Sequence, residues 1–364
     1  MILAIELSNL VALRRMERND KRPATTPNVS ILVPARNEEH NIIACVDSIL
    51  DQNYTNFEVI VLDDCSTDKT LEKLKQYKNK DSKLFILEGE ELPQGWTGKN
   101  WACHQLFTNA NGDLLLFLDA DTRLNANALN SAVNSLLREN ADFISALPRE
   151  ETITCSEKLL VPVMNWGVFC FYPLVLAMKS RIPALAVSIG QFMLFTRQAY
   201  KKIGGHAAAK TEITEDKALP KAIVKQKMKW LLLDGTESLT TRMYLNFSDT
   251  YNGLSKSLFP WFDSNVPIYT FIWLWLLVVF WQPLIVLTMS LIDSSFTTST
   301  SLAIVSVALS FITWSIFYIR FKYPPFLIVL YPVIIPLWVS VAMASMIRSL
   351  FGTTTWKDRP LSQP

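Results

Sequence analysis

From residue 29 the hydrophobic and polar positions follow two periods in turn. Apolar runs at 29–34, 57–62, 84–87, 113–118 and 142–147 are short and bounded by polar clusters, the pattern of strands buried on both faces. Amphipathic stretches, one running up to Leu50 and others at 67–77, 101–108 and 127–138, lie between them at helical spacing. Strand and helix in alternation predict a parallel sheet covered by helices, an α/β architecture. Beyond residue 263 the pattern changes: stretches 264–292, 294–319 and 323–347 contain no Asp, Glu, Lys or Arg. Each exceeds the roughly 20 apolar residues that a helix needs to cross a bilayer, which predicts three membrane segments. Buried core helices are the competing reading, and three successive uncharged runs of this length are rare in soluble proteins.

Two more apolar stretches need placing. Residues 1–13 are interrupted by Glu6 and Asn9, are followed by Arg14, Arg15 and Arg18, and lack a small-residue cleavage site. They predict a short anchor or interfacial helix within 1–27 rather than a signal peptide, with its arginines favouring the cytoplasmic side. The uncharged run 159–178 has the length of a span, yet one crossing there would put acids 119–121 and 215–216 on opposite sides of a bilayer. It is therefore expected to be buried, to lie in the membrane interface, or to pair with 182–195 as a re-entrant hairpin, making 159–196 an interfacial segment. The expected divisions are 1–27, a catalytic domain over 28–265, membrane segments over 266–350 and a tail over 351–364. Arg320 and Lys322 follow the second segment while Arg348, Lys357 and Arg359 follow the third, so the positive-inside rule wants both groups cytoplasmic. Pro324, Pro325, Pro332 and Pro336 make the last segment the candidate for a kinked or re-entrant element.

Composition sharpens this division. The 364 residues are 50% hydrophobic and 19% charged with a net charge of +2, which excludes a disordered chain, a disulfide mini-scaffold and a nucleic-acid binder. Residues 267–364 hold five basic and two acidic side chains, leaving 30 of the 35 basic and 31 of the 33 acidic residues in the first 266. The five cysteines are odd in number and never in Cys-x-x-Cys spacing, which suits reduced thiols in a cytoplasm-facing domain.

In open α/β sheets ligands bind beyond the carboxyl ends of the strands, so the residues after each apolar run carry the chemistry. Those positions read Ala35-Arg36-Asn37-Glu38-Glu39, Asp63-Asp64-Cys65-Ser66-Thr67-Asp68 and Asp119-Ala120-Asp121. Three strand ends converge on carboxylates, as a site for a cation and a phosphorylated, hydroxyl-rich ligand requires. Alternation sends Asp119 and Asp121 to one side with the small Ala120 between them. Oxygen ligands of this type suit Mg2+ or Mn2+ completed by substrate phosphates, with a solvated loop as the bland alternative. Ser66 or Thr67 can cap the helix that follows, but capping does not explain two acids at a strand end, where a carboxylate can accept from a base N–H or sugar hydroxyls. Thr214-Glu215-Asp216 reads either as an ordinary helix start or as a carboxylate set to act as general base. The loop 92–99 ends in Lys99 at a helix start, where amides and lysine can meet a phosphate; a plain turn and a surface lysine is the alternative. His40, His104 and His206 do not cluster, and neither a Gly-x-Ser-x-Gly elbow nor a Walker loop is present, so hydrolase and P-loop readings drop out.

Together these residues resemble the family 2 glycosyltransferases, nucleotide-sugar enzymes of the GT-A fold. The resemblance rests on Val33-Pro34-Ala35-Arg36-Asn37-Glu38-Glu39, Asp63-Asp64, Gly112-Asp113 leading into Leu118-Asp119-Ala120-Asp121, and Glu215-Asp216, in that order over 29 to about 220. It implies a Rossmann-like nucleotide-diphospho-sugar transferase domain with C-terminal transmembrane helices. It further implies a donor site of Pro34, Ala35, Arg36, Asn37, Glu38, Lys99, Asp64 at the base and Asp119 at the ribose or sugar. Mg2+ or Mn2+ would sit at Asp121 with Asp119, and Asp216, beside Glu215, would be the base of an inverting displacement. A narrower likeness, to the membrane-bound branch of hopanoid-associated and carotenoid glycosyltransferases, rests on Gly95-Trp96-Thr97-Gly98-Lys99, Gly190-Gln191-Phe192, Gly204-Gly205-His206, Arg242-Met243-Tyr244, Gly253-Leu254-Ser255-Lys256 and Trp356-Lys357-Asp358-Arg359. Asp358 departs from it, standing where that branch often has glycine.

The expected activity is transfer of one sugar from a nucleotide-diphosphate donor to a membrane lipid, by a multi-pass protein of the cell membrane with its catalytic domain cytoplasmic. Lys256 and Gln191 are the acceptor or phosphate candidates, and Trp166, Phe169, Phe171 and Tyr172 would floor the lipid path. A processive polysaccharide synthase is the first alternative. Its Gln-x-x-Arg-Trp element is imitated by Gln226-Lys227-Met228-Lys229-Trp230, which begins only ten residues past Asp216 and reads as a basic helix feeding a strand. Polyprenyl-phosphate sugar synthesis and an inactive membrane scaffold complete the alternatives.

Overall fold

The computed structural model describes residues 1–16, 25–78, 80–292, 297–352, 355–356 and 359–360. They divide into two compact units. Val11–Glu151, Leu174–Met243 and Thr355–Pro364 build a sheet unit, and Met1–Leu10, Thr152–Pro173 and Tyr244–Thr354 build a helical one.

The sheet unit contains strands β1 (Val29–Ala35), β2 (Phe57–Asp63), β3 (Leu84–Glu88), β4 (Leu114–Leu118), β5 (Thr122–Leu124), β6 (Phe143–Leu147), β7 (Arg149–Glu150), β8 (Phe192–Thr196), β9 (Trp230–Asp234) and β10 (Leu239–Thr241). Seven of them form one sheet in the order β3-β2-β1-β4-β8-β6-β9, and β5-β10-β7 form a smaller one. β1 runs parallel to β2 and β4, and β6 parallel to β9. β8 is antiparallel to both its neighbours. The sheet is therefore mixed, where alternation predicts a parallel one. The difference lies in 182–195, whose end is a central strand and not half of a re-entrant hairpin.

Every residue of β4 and β6 is buried, because helices such as Ile42–Leu50 and Ala128–Glu139 cover the sheet. Val29, Ile31, Val33, Val59, Val61 and Leu116 share one core with Val46, Ile49, Leu129 and Val133 from those helices. Each such side chain contributes roughly 1.5–3 kcal/mol by leaving water, enough to hold strand ends in fixed places.

In the helical unit, Val266–Ser290, Thr300–Arg320 and Pro325–Leu350 are helices long and apolar enough to cross a membrane. They turn large apolar side chains outward, among them Phe271, Leu274, Val278, Leu302, Val305 and Val333. The last begins as a 3-10 turn, Pro325–Leu330, and continues as Tyr331–Leu350 with Pro336 inside, where prolines predict irregularity. The run 159–178 breaks into Cys155–Leu160, Pro162–Phe171 and Leu174–Lys179, each far too short to span. Within the helical unit Trp166 and Phe169 are 2% and 0% exposed. Trp166 lies 5.0 Å from the Trp314 ring and 5.8 Å from that of Phe280, and Phe169 lies 5.3 Å from Phe321. An aromatic core thus takes the place of the expected lipid-path floor at these two residues.

The N-terminal segment forms a helix, Ile2–Ala12, in which the interrupting residues Glu6 and Asn9 are the buried ones. The Asn9 amide donates to the carbonyls of Phe169 at 2.7 Å and Tyr172 at 2.6 Å. It satisfies acceptors that the helix Pro162–Phe171 leaves open at its last turn.

Candidate active site

The loops after β1 and β2 are laced together. Asn37 and Cys65 both adopt left-handed backbone, with φ of 51°. The Asn37 N–H donates to Ser66 Oγ at 3.0 Å, the Thr67 N–H to Asn37 Oδ1 at 2.8 Å, and the Glu38 N–H to Thr70 Oγ1 at 2.8 Å. Arg36, buried, donates to the carbonyls of Asp64 and Cys65, both at 2.7 Å. Pro34 and Ala35 end β1, and the Asp64 N–H donates to the Ala35 carbonyl at 2.7 Å. The expected donor residues 34–38 therefore fix the loop that presents Asp64.

At the end of β4, Lys99 reaches in from the first turn of the helix Gly98–Asn109. Its Nζ lies 2.8 Å from Asp119 Oδ1 and 2.9 Å from Glu215 Oε1. Burial alone would lower the lysine, but the two carboxylates hold it well above its ordinary value and fully charged. Asp119 is raised by burial, which Lys99 only partly offsets. Glu215 is lowered: burial opposes its ionisation and Lys99 more than compensates. Its neighbour Asp216 is pushed up to about 7 by burial and by the charge of Glu215. Two adjacent acids at one helix start thus hold their protons very differently, the arrangement that separates a fixed anion from a proton acceptor working near neutrality.

β8 and the turn before it assemble this cluster. The Asp119 N–H donates to the Gln191 carbonyl at 3.3 Å, and Ser188 Oγ donates to the Asp216 carbonyl at 2.5 Å. Ser145 Oγ of β6 accepts from the Ile189 N–H at 2.8 Å. A Cβ added at Gly190 would stand 3.3 Å from Lys99 Nζ and 3.6 Å from Asp216 Cβ, so this turn passes close to the acid cluster. The Cys103 thiol, raised by burial, feels the charges of Lys99, Glu215, Asp119 and Asp64 together.

Residues 30–204 match the family model of glycosyl transferase family 2. Over these residues the chain is similar to the family 2 glycosyltransferases. It is similar to 4,4'-diaponeurosporenoate glycosyltransferase of Staphylococcus haemolyticus, 28% identical over 69% of this chain and 67% of that protein. The protein of the same name from Staphylococcus aureus strain USA300 is 29% identical over 68% of this chain and 65% of that one. The match spans about two thirds of the length of these relatives. Among solved structures, the mannosyltransferase PcManGT from Pyrobaculum calidifontis, in complex with GDP-Man and Mn2+, superposes with a TM-score of 0.53 at 16% identity, covering 96% of this chain and 99% of that one. That likeness is one of fold: a mixed α/β GT-A-like sheet with C-terminal apolar helices.

The sheet unit brings Lys99, Asp119, Gln191, Glu215 and Asp216 together. Gln191 also donates from Nε2 to Met243 Sδ at 3.0 Å. Lys256, half-buried in the helix Phe247–Trp261, and Trp166 belong to the helical unit. His206 is neutral: burial pulls it down to about 3, and Tyr200 Oη lies 2.6 Å from its Nδ1. The Gly204-Gly205-His206 motif thus packs on Tyr200, whose Oη accepts from the His206 N–H at 3.0 Å.

Asp121 is half-buried beside β5, and Thr241 Oγ1 donates to its carbonyl at 3.4 Å. Thr241 also pairs with Glu150 of β7, a residue that reading the sequence missed. Glu150 is 5% exposed, its Oε2 has no hydrogen-bond partner, and burial followed by the charge of Asp121 holds its carboxyl well above the ordinary range. A two-residue strand leaves no periodic signal by which to find it. A buried carboxylate oxygen left over beside a second acid fits a divalent cation. Among the described residues no group of three or more His, Cys, Asp or Glu side chains forms a ready cage. With so few carboxylates, a cation held here would have to draw its remaining ligands from a substrate.

Proposed function

We propose that the protein transfers a single sugar from a nucleoside-diphosphate sugar to a membrane lipid, with inversion and with a divalent cation. The observation that carries this reading is the cluster Lys99–Asp119–Glu215–Asp216 at the carboxyl end of β4, with a proton acceptor near neutrality beside a charge-balanced acid. Asp64 takes the base of the donor, and Asp119 the ribose or sugar. Asp121, with Asp119, would hold Mg2+ or Mn2+, which would supply positive charge against the departing diphosphate. Lys99 keeps Asp119 and Glu215 in place. Asp216 accepts the proton of an acceptor hydroxyl as its oxygen attacks the anomeric carbon from the face opposite the diphosphate.

The relatives' printed name supports a polyene carboxylic acid as acceptor. Such an acid is already ionised near neutrality and gives up no proton, so Asp216 then orients it rather than deprotonating it. The three apolar helices support a multi-pass membrane protein, and we place the catalytic domain on the cytoplasmic side, where nucleotide sugars are made.

The test incubates purified full-length protein with radiolabelled nucleoside-diphosphate sugars, Mn2+ and lipid acceptors. The expected product is a lipid carrying one hexose, lost on chelation. A long polymer would instead establish a processive synthase, a sugar on polyprenyl phosphate would establish that reading, and no turnover on any donor would leave a scaffold.

A further inference from the structure

The tail motif ending in Arg359 has no role in the reading above, yet its side chain lies on a donor-site residue. Arg359–Pro360 pairs antiparallel with Thr355–Trp356. From there Arg359 Nη1 donates to Asp64 Oδ2 at 2.6 Å, and Nη2 lies 3.4 Å from the Asp64 carbonyl. Only 18% of the Arg359 side chain and 1% of that of Asp64 are exposed. The other carboxylate oxygen of Asp64, Oδ1, is buried and has no hydrogen-bond partner. Among the described residues, the groups that act on Asp64 are Arg359 from the tail, Arg36 from the loop after β1, Asp63 beside it on β2, and Cys103 from the helix Gly98–Asn109. Arg36 directs its Nη1 to backbone carbonyls, whereas Arg359 grips the carboxylate itself.

A nucleobase offers Asp64 an N–H, so the carboxyl must present a lone pair. Protonated, it would keep only an uncharged carbonyl acceptor, and a proton on the oxygen that faces the base would oppose the base N–H. Burial favours the protonated form, and Asp63 adds to it; Arg359 and Arg36 oppose both.

We propose that Arg359 is a positioning residue of the donor site, holding Asp64 ionised and aiming its open Oδ1 at the N–H edge of the nucleotide base. The C-terminal tail is then part of the nucleotide pocket. This rests on the donor reading of Asp64 and adds the residue on which its acceptor state depends.

The test measures Kd by calorimetry for UDP, GDP and ADP with Mn2+, on the full-length chain in detergent, from about pH 6 to about pH 9. Wild type is expected to bind at least one of the three with little pH dependence. Arg359→Ala should weaken binding by at least about tenfold at the acid end and recover as Asp64 ionises unaided at alkaline pH. Arg359→Lys, which keeps the charge, should restore most of the neutral-pH affinity. Asp64→Asn, which cannot ionise, should be weak throughout. Arg359→Ala binding like wild type, binding more tightly, or weakened equally at every pH overturns the proposal. A wild-type chain that binds none of the three overturns the donor reading of Asp64 instead.

Discussion

Asp216→Asn separates two consequences of one environment. Burial and the charge of Glu215 raise the Asp216 carboxyl from 3.8 to about 7, a rise that corresponds to on the order of 4 kcal/mol of disfavoured ionisation. Asp216 is only half-buried, so solvent screening reduces this to about 1–3 kcal/mol. The sign follows from proton binding. Between pH 3.8 and about 7 the folded protein holds a proton that the unfolded chain releases, so wild type loses stability as pH rises through this window. Asparagine removes the titration. The variant should melt with wild type near pH 4 and several degrees above it at pH 8, read as a difference at one scan rate because large chains often unfold irreversibly. Activity should move the other way. With a hydroxyl acceptor the acid limb of kcat/KM near pH 7 should vanish and turnover fall by about 10²–10⁴, whereas a carboxylate acceptor should be used at near wild-type rate. A variant that keeps the acid limb, or whose melting difference does not change with pH, would refute the assignment of that environment to Asp216.

Lys99→Met leaves Asp119 and Glu215 facing each other without a cation. Breaking a buried pair costs about 3–5 kcal/mol, and the quarter exposure of Lys99 and Asp119 brings this to about 2–4. Both acids then hold protons more tightly folded than unfolded, so the loss should be greatest above neutrality and fade toward acid; a pH-independent melting difference would count against the pairing. Trp166→Ala should open a cavity costing about 3–5 kcal/mol beside Trp314 and Phe280 while leaving UDP affinity unchanged, and an unaltered melting temperature would contradict the core placement.

What the chain discloses about itself follows its physics. Asp64, Asp119 and Asp121 were legible because a strand buried on both faces must be apolar, so the first carboxylates after it mark the carboxyl edge where ligands gather. β8 was not. Its residues Phe192–Thr196 follow an apolar region, and neither a buried central strand nor a membrane segment tolerates charge, so hydropathy cannot tell them apart. The cost of missing it fell on the site, because the turn carrying Gly190 and Gln191 brings the Glu215–Asp216 helix start beside Asp119. Trp166 posed the same ambiguity in reverse: an aromatic side chain suits a lipid face and a protein core equally, and only its contacts with Trp314 and Phe280 decide.

Polar residues inside apolar runs were the better signal. Glu6 and Asn9 read as flaws in an anchor helix, yet a polar group costs too much to bury without a partner and so predicts one. For Asn9 the partners are the carbonyls of Phe169 and Tyr172, freed where Pro173 stops the helix. The same reasoning applies to Asp64, whose buried carboxylate is met by Arg359 on one oxygen and, in the proposed reading, by the base of the donor on the other.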